Sequence, residues 1–289
     1  MVNNNIILLI FEVFMNFFEK LIYIISSTME KPSDYGWFHL FFIILFTIIT
    51  FVICFFYKDA SHKTFKIISI ICLCIMIFLE TYKQIVLSCS FINNNIVWNY
   101  NWYNFPFQLC SSPLYILPFV IFIKKQHIKE IFISFLATFS LFGGLVVFIY
   151  PNDVFISIIG VNIQTMIHHG LQITLGIFYL VYYRNKLNIT WWKKSIIVFI
   201  NLVLIAILLN ISMYYILQKY QINDVFNMYF ISPFFSCTLP ILSTLYNNLP
   251  YILFILLYIF GFVVSSFLIY YLVYSIINLL RKAKKYFTN

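Results

Sequence analysis

WFHLFFIILFTIITFVICFFY, residues 37 to 57, holds no Asp, Glu, Lys or Arg. About 20 mostly apolar residues, rising about 1.5 Å each, cover a hydrocarbon core of roughly 30 Å, so the stretch reads as a membrane span. Its backbone must be helical, because unpaired amides in lipid cost several kcal/mol each. The rest of the chain agrees. Hydrophobic residues make up 63% of the 289 and charged residues 9%, against about a quarter charged in soluble domains, and the mean hydropathy is +0.93. This excludes a soluble globular class and predicts an all-α, polytopic membrane helix bundle.

Six further stretches meet the same criterion, at 66 to 88, 106 to 123, 130 to 150, 161 to 183, 195 to 217 and 250 to 279, so about seven transmembrane helices are expected. The net charge of +9 is concentrated in alternate loops. Lys58, Lys63 and Lys66 follow the first span, Lys124, Lys125 and Lys129 the third, Arg184, Lys186, Lys193 and Lys194 the fifth, and Arg281, Lys282, Lys284 and Lys285 the seventh. Apart from Lys219 the other loops are nearly free of basic residues. Positive loops stay cytoplasmic, which places the N-terminus outside and the C-terminus in the cytoplasm. Because the basic residues are used this way, nucleic acid is not an expected partner; membrane lipids are, and no protein partner is implied.

Residues 1 to 30 carry Asn5, Glu12, Asn16 and Glu19 on one helical face, the pattern of an amphipathic segment in the outer interface, with an eighth span as the alternative. Glu12 and the lack of preceding basic residues argue against a cleaved signal. No internal repeat or composition break divides residues 31 to 289, which read as a single bundle domain. Cys72 and Cys74 point to different sides of one helix and, with Cys54, read as packing residues. Cys89 and Cys237 both fall toward the outer side, where a disulfide is compatible with the compartment. Neither a metal site nor a cofactor is indicated.

The chemistry-bearing residues share one depth. His39 in the first span, Glu80, Lys83 and Gln84 in the second, Gln108, Cys110, Ser111 and Ser112 in the third, Gln164, His168, His169 and Gln172 in the fifth and Asn210 in the sixth all lie toward the outer leaflet. Polar and ionisable groups inside a span normally face the bundle interior and find partners. Glu80 and Lys83, three apart, are placed to neutralise one another. Read as one helix, the third stretch puts Gln108, Ser111, Ser112 and Tyr115 on a continuous polar face lining a cavity, and turns Cys110 some 150° away, estimated at about 100° per residue. Cys110 therefore reads either as a packing thiol or, if the Pro113 kink rotates it, as a nucleophile.

Phe38-His39-Leu40, Pro106-Phe107-Gln108-Leu109-Cys110, Ile167-His168-His169, Asn227-Met228-Tyr229 and Asn248-Leu249-Pro250-Tyr251-Ile252-Leu253 together resemble the YwaF-like bacterial membrane proteins and the animal transmembrane protein 164 acyltransferases. The resemblance implies a bacterial plasma membrane protein that moves a fatty acyl group between phospholipids through a Cys and His pair. It is imperfect, because Phe107 and Gln108 stand where animal relatives have Cys and His. Thiol chemistry would then fall to Cys110, and the histidine role carries over to His169 with His168 beside it.

Two functions follow. One is a lipid-modifying acyltransferase or acyl hydrolase, with Cys110, a lipid or water as nucleophile, His168 or His169 as base and Glu80 orienting or balancing charge. The other is a non-catalytic seven-helix transporter or sensor whose polar cavity, lined by His39, Glu80, Lys83, Gln108, Ser111, Ser112, Gln164 and Gln172, binds a small solute or lipid headgroup.

Overall fold

The computed structural model describes residues 17–92, 95–151 and 154–288. Most of the described residues are helical. After a helix described over 17–25 (α1) come α2 (Trp37–Tyr57), α3 (His62–Ser88), α4 (Ser112–Phe122), α5 (Gln126–Phe135), α6 (Leu141–Ile149), α7 (Ile159–Tyr182), α8 (Ile189–Lys219), a short α9 (Leu242–Asn248) and α10 (Tyr251–Thr288). The only sheet among the described residues is the antiparallel pair β1 (Cys89–Ile92) and β2 (Asn95–Trp98), with Cys89 opposite Trp98. Asn5, Glu12 and Asn16 of the expected amphipathic segment lie outside the described residues.

Among the described residues five helical stretches are long and apolar enough to cross a membrane: Trp37–Tyr57, His62–Ser88, Gln126–Ile149, Ile189–Lys219 and Tyr251–Arg281. Most of their exposed side chains are apolar, as Ile44, Ile48, Phe51 and Phe55 of α2 illustrate. This is the surface of a multi-pass integral membrane protein. α7 is too polar to meet the same criterion, for a physical reason: most of its residues are buried on all sides, so it needs no lipid-compatible face. It is the central helix, flanked by α2, α3 and α6.

Close approach to α7 is made at glycines. The Phe46 ring of α2 lies over Gly170, where an added Cβ would sit 2.3 Å from ring carbons, and Leu141 of α6 lies over Gly176, with Cβ to Cβ at 2.7 Å. These glycines thus admit neighbouring helices. Thr50 and Thr174 share a hydrogen bond of 2.8 Å one turn further along the α2 contact. Gly170→Ala is therefore expected to destabilise the fold by about 1–3 kcal/mol through overpacking, measured as a lower thermal midpoint in detergent; an unchanged midpoint would show that Phe46 moves aside at no cost.

The stretch at 130 to 150 is a composite. α5 and α6 are joined by a π-helical turn, Leu136–Ser140, which widens one turn and re-aims α6. Gly143 and Gly144 of α6 consequently face Gln172 and His169 of α7.

One correction concerns 106 to 123. The helix begins at Ser112, and the residues before it form a non-helical entry: Gln108 is extended (φ −97°, ψ 168°) and Leu109–Ser111 make a single 3-10 turn. Pro106 holds the residue before it, Phe105, out of the helical region (φ −52°, ψ 130°), as a proline does to its predecessor, and Pro113 sits in the first turn of the helix, where its missing N–H is tolerated. The continuous helical face through Gln108, Ser111, Ser112 and Tyr115 therefore does not exist.

At one end of the bundle the basic loops come together. Arg184 donates to the Lys58 carbonyl at 2.7 Å and pairs with Asp59. Lys186 and Lys194 both pair with Glu130, at 2.9 and 3.0 Å, which keeps a largely buried carboxylate compensated. At the opposite end lie the β-pair, the loop after α8 and α9. Trp102 donates its backbone N–H to Asp224 at 2.6 Å there. Cys89 and Cys237 are free thiols.

Candidate functional site

A non-helical turn among apolar helices leaves carbonyls that must find donors, and the polar residues of 106–115 supply most of them. Tyr115 donates its hydroxyl to the Pro106 carbonyl at 2.6 Å, Ser112 Oγ to Leu109 at 2.6 Å, and the Ser111 N–H to Gln108 at 2.9 Å. The Cys110 carbonyl is satisfied from α7, by His168 Nε2 at 2.9 Å and by Gln172 Nε2. Ser112 and Tyr115 are thus occupied with the turn itself and do not offer their hydroxyls to a cavity.

The Gln108 side chain does something different. Its Nε2 donates to the Asn227 carbonyl at 2.9 Å and its Oε1 accepts from the Tyr229 N–H at 2.6 Å. Asn210 of α8 grips the residue between them, accepting from Met228 N–H at 2.7 Å and donating to its carbonyl at 3.0 Å. Asn227 folds the loop on itself, accepting from Ser232 N–H at 2.9 Å and donating to the Ser236 carbonyl at 3.0 Å. Two amides from distant elements therefore hold three consecutive residues. The held backbone is strained: Tyr229 and Phe230 have φ of 58° and 57°, a region that costs a side-chain-bearing residue roughly 1–3 kcal/mol.

In that conformation the Tyr229 ring packs against Phe107, at 5.8 Å between ring centroids, and its hydroxyl is buried without a hydrogen-bond partner. Burial, with the neighbouring Cys110 and Tyr115, pushes the phenol well above its ordinary range, so it remains an O–H donor.

On α7, three buried atoms have no partner: His168 Nδ1, His169 Nε2 and Gln172 Oε1. Their chemistry is fixed by what the other end of each side chain faces. His168 Nε2 and Gln172 Nε2 meet the Cys110 carbonyl, and His169 Nδ1 meets the Thr165 carbonyl at 2.7 Å. A carbonyl can only accept, so each side chain spends a donor there and shows its acceptor on the free side.

Beside this cluster stands a charged pair. Lys83 reaches Glu80 at 2.9 Å, the pairing that their spacing predicts, and Gln84 donates to the same oxygen at 2.7 Å. Tyr100 donates to Gln84 Oε1 at 3.0 Å. A groove of about 480 Å³ opens laterally here between α3 and α4, lined by Ile77, Glu80, Thr81, Gln84, Tyr100 and Tyr115 among others.

Of the remaining sequence candidates, Ser111 is buried in the entry turn. Gln164 is buried on α7, accepting a 3.4 Å hydrogen bond from Thr165 Oγ1. His39 accepts from the Tyr35 N–H at 3.1 Å and packs among Tyr35, Phe148 and Phe155, a separate aromatic cluster. Tyr229 is the site residue that span-based reasoning misses, because a loop position has no helical depth; its only signal is the Asn227-Met228-Tyr229 string. Among the described residues no group of three or more His, Cys, Asp or Glu side chains is placed to share a metal ion. Comparison of the chain with family models, with curated proteins and with solved structures finds no match in any of the three.

Proposed function

We propose that the chain crosses the membrane seven times, α4 and α7 joining the five long apolar stretches. In this reading the Lys58, Lys124 and Arg184 loops and the C-terminus are cytoplasmic, and the polar site lies in the outer leaflet of a bacterial plasma membrane. The meeting of Arg184 with Lys58 and Asp59 supports this topology. Cysteines introduced at positions 60 and 185 are expected to resist a membrane-impermeant maleimide applied from outside; labelling in intact cells would reverse the orientation.

The site is read as that of a lipid-modifying enzyme, an acyltransferase or acyl hydrolase acting on phospholipid. The observation that carries this is His169. Its Nδ1–H is anchored on the Thr165 carbonyl and its Nε2 lone pair is buried and unused, the tautomer and orientation of a general base. Tyr229 offers a rigid O–H donor toward the charge that develops on an ester oxygen, and the groove at Glu80 gives a lipid lateral access. The test is lipid analysis of membranes carrying the wild-type chain or His169→Gln: acyl remodelling lost in the variant supports the enzyme, and identical lipids with and without the protein remove it.

A non-catalytic transporter or sensor has one observation in its favour. Among the described residues no hydrogen bond joins the Cys110 thiol to either histidine; His168 meets the Cys110 carbonyl instead. Under that reading the same cluster binds a solute, and the lipid analysis shows no change.

A further inference from the structure

We infer that the polar cavity at the basic end of the bundle binds a phosphate group, apart from the histidine cluster and independently of the acyl-transfer reading. The cavity, about 390 Å³, lies between the start of α3, the start of α5 and the end of α7, and is lined by His62, Gln126, Tyr182, Tyr183, Asn185 and Lys186. Along α7, Tyr182 stands roughly 20 Å from His168, at about 1.5 Å per residue.

The hydrogen bonds already made around the cavity leave donors over. Tyr183 accepts from Gln126 Nε2 at 2.8 Å, so its own proton is unused. Tyr182 and His62 share one hydrogen bond, hydroxyl to Nδ1, at 3.2 Å. If the phenol donates it, the imidazole carries its proton on Nε2; if the imidazole donates it, the phenol keeps its own. Either way one donor remains. Asn185 accepts from Arg281 at 2.7 Å through Oδ1, and among the described residues its amide N–H groups have no partner. Lys186 bonds Glu130 at 2.9 Å, which leaves its ammonium with further N–H groups.

Charge then decides among ligands. Glu130 is paired with both Lys186 and Lys194, so the three together carry one positive charge. Arg281, held on Asn185, adds another, with no carboxylate paired to it among the described residues. No described Asp or Glu lines the cavity. A cation would be repelled here, and a neutral solute would leave both charges uncompensated. A phosphate brings several acceptor oxygens together with the counter-charge, and its bonds to lysine and arginine are charge-assisted, roughly twice as strong as neutral ones. The group has two sources. One is the headgroup of an anionic phospholipid, since the cavity lies at the ends of helices long and apolar enough to cross a membrane; the other is phosphate free in solution.

The experiment uses the full chain in a maltoside detergent, which carries no phosphate. Phosphatidylglycerol and diacylglycerol with the same acyl chains are compared by native mass spectrometry, and inorganic phosphate is titrated in parallel against the thermal midpoint. The wild type is expected to prefer phosphatidylglycerol by about tenfold or more. Arg281→Gln, which leaves both Glu130 pairs in place, and Lys186→Gln, which leaves Lys194 on Glu130, are each expected to cut that preference about tenfold. Lys193→Gln removes the same charge from an exposed residue outside the cavity and is expected to leave the preference intact. Phosphatidylglycerol that inorganic phosphate does not displace assigns the site to the lipid headgroup. A rise in midpoint with inorganic phosphate that Arg281→Gln abolishes, with the lipid displaced, assigns it to the free ion. An equal loss in all three variants overturns the site, because the diffuse charge of that end would then be attracting the anion. Equal binding of both lipids with no response to inorganic phosphate, or a preference that no variant changes, overturns it as well.

Discussion

His169→Gln is expected to lower acyl turnover by about a hundredfold or more, the usual worth of a positioned general base, while Cys110→Ala retains most of it. The asymmetry follows from what each residue contributes. His169 presents the free Nε2, and glutamine cannot take up a proton there. Cys110 is tied into the site through its carbonyl, which receives His168 and Gln172, and alanine keeps that oxygen in place. Measured kcat in a reconstituted membrane, with the thermal midpoint as a folding control, separates the two. Full activity in His169→Gln together with an inactive Cys110→Ala would make the thiol the centre of the chemistry and the histidine a packing residue.

Asn210→Ala is expected to cost roughly 3 kcal/mol or more of stability, and Gln108→Ala a similar amount. Asn210 satisfies both the N–H and the carbonyl of Met228, and Gln108 the N–H of Tyr229 and the carbonyl of Asn227. Truncating either amide strands two backbone groups, at about 1–3 kcal/mol for each buried one, in a loop already strained at Tyr229 and Phe230. A graded series checks the cause: Gln108→Glu keeps the acceptor for Tyr229 N–H but sets a carboxylate against the Asn227 carbonyl, so it should fall between wild type and Gln108→Ala. Equal thermal midpoints for all three proteins would mean that water replaces the amide and that the loop is held from elsewhere.

The helices were legible because lipid imposes a length and a polarity that hydropathy reads directly. The burial of Glu80, His168, His169 and Gln172 followed from the same constraint, since polar groups within a span are drawn inward, and the Glu80–Lys83 pair followed from helical spacing. Three things were not legible. The entry at 106–111 runs straight into the apolar helix with no break in composition that marks the boundary, and only main-chain geometry distinguishes this turn from the first turn of a span. The Gln108 contacts to Asn227 and Tyr229 join residues more than a hundred positions apart, which no local pattern encodes. Nothing local marks Glu130, which pairs with both Lys186 and Lys194, more than fifty positions away.

The double hydrogen bond onto the Cys110 carbonyl bears on how such a chain diverges over generations. A side chain is inherited as a letter, but a main-chain oxygen is present whatever letter occupies the position. What selection can see here is the turn that points the oxygen toward α7 and the two donors that meet it. The contact itself thus sets no requirement on the side chain at position 110, whereas His168, Gln172 four residues on, and the turn all take part in it. Distant relatives built on this plan should share that His-x-x-x-Gln pairing opposite a broken helix start, with no agreement required at the residue whose carbonyl they bind.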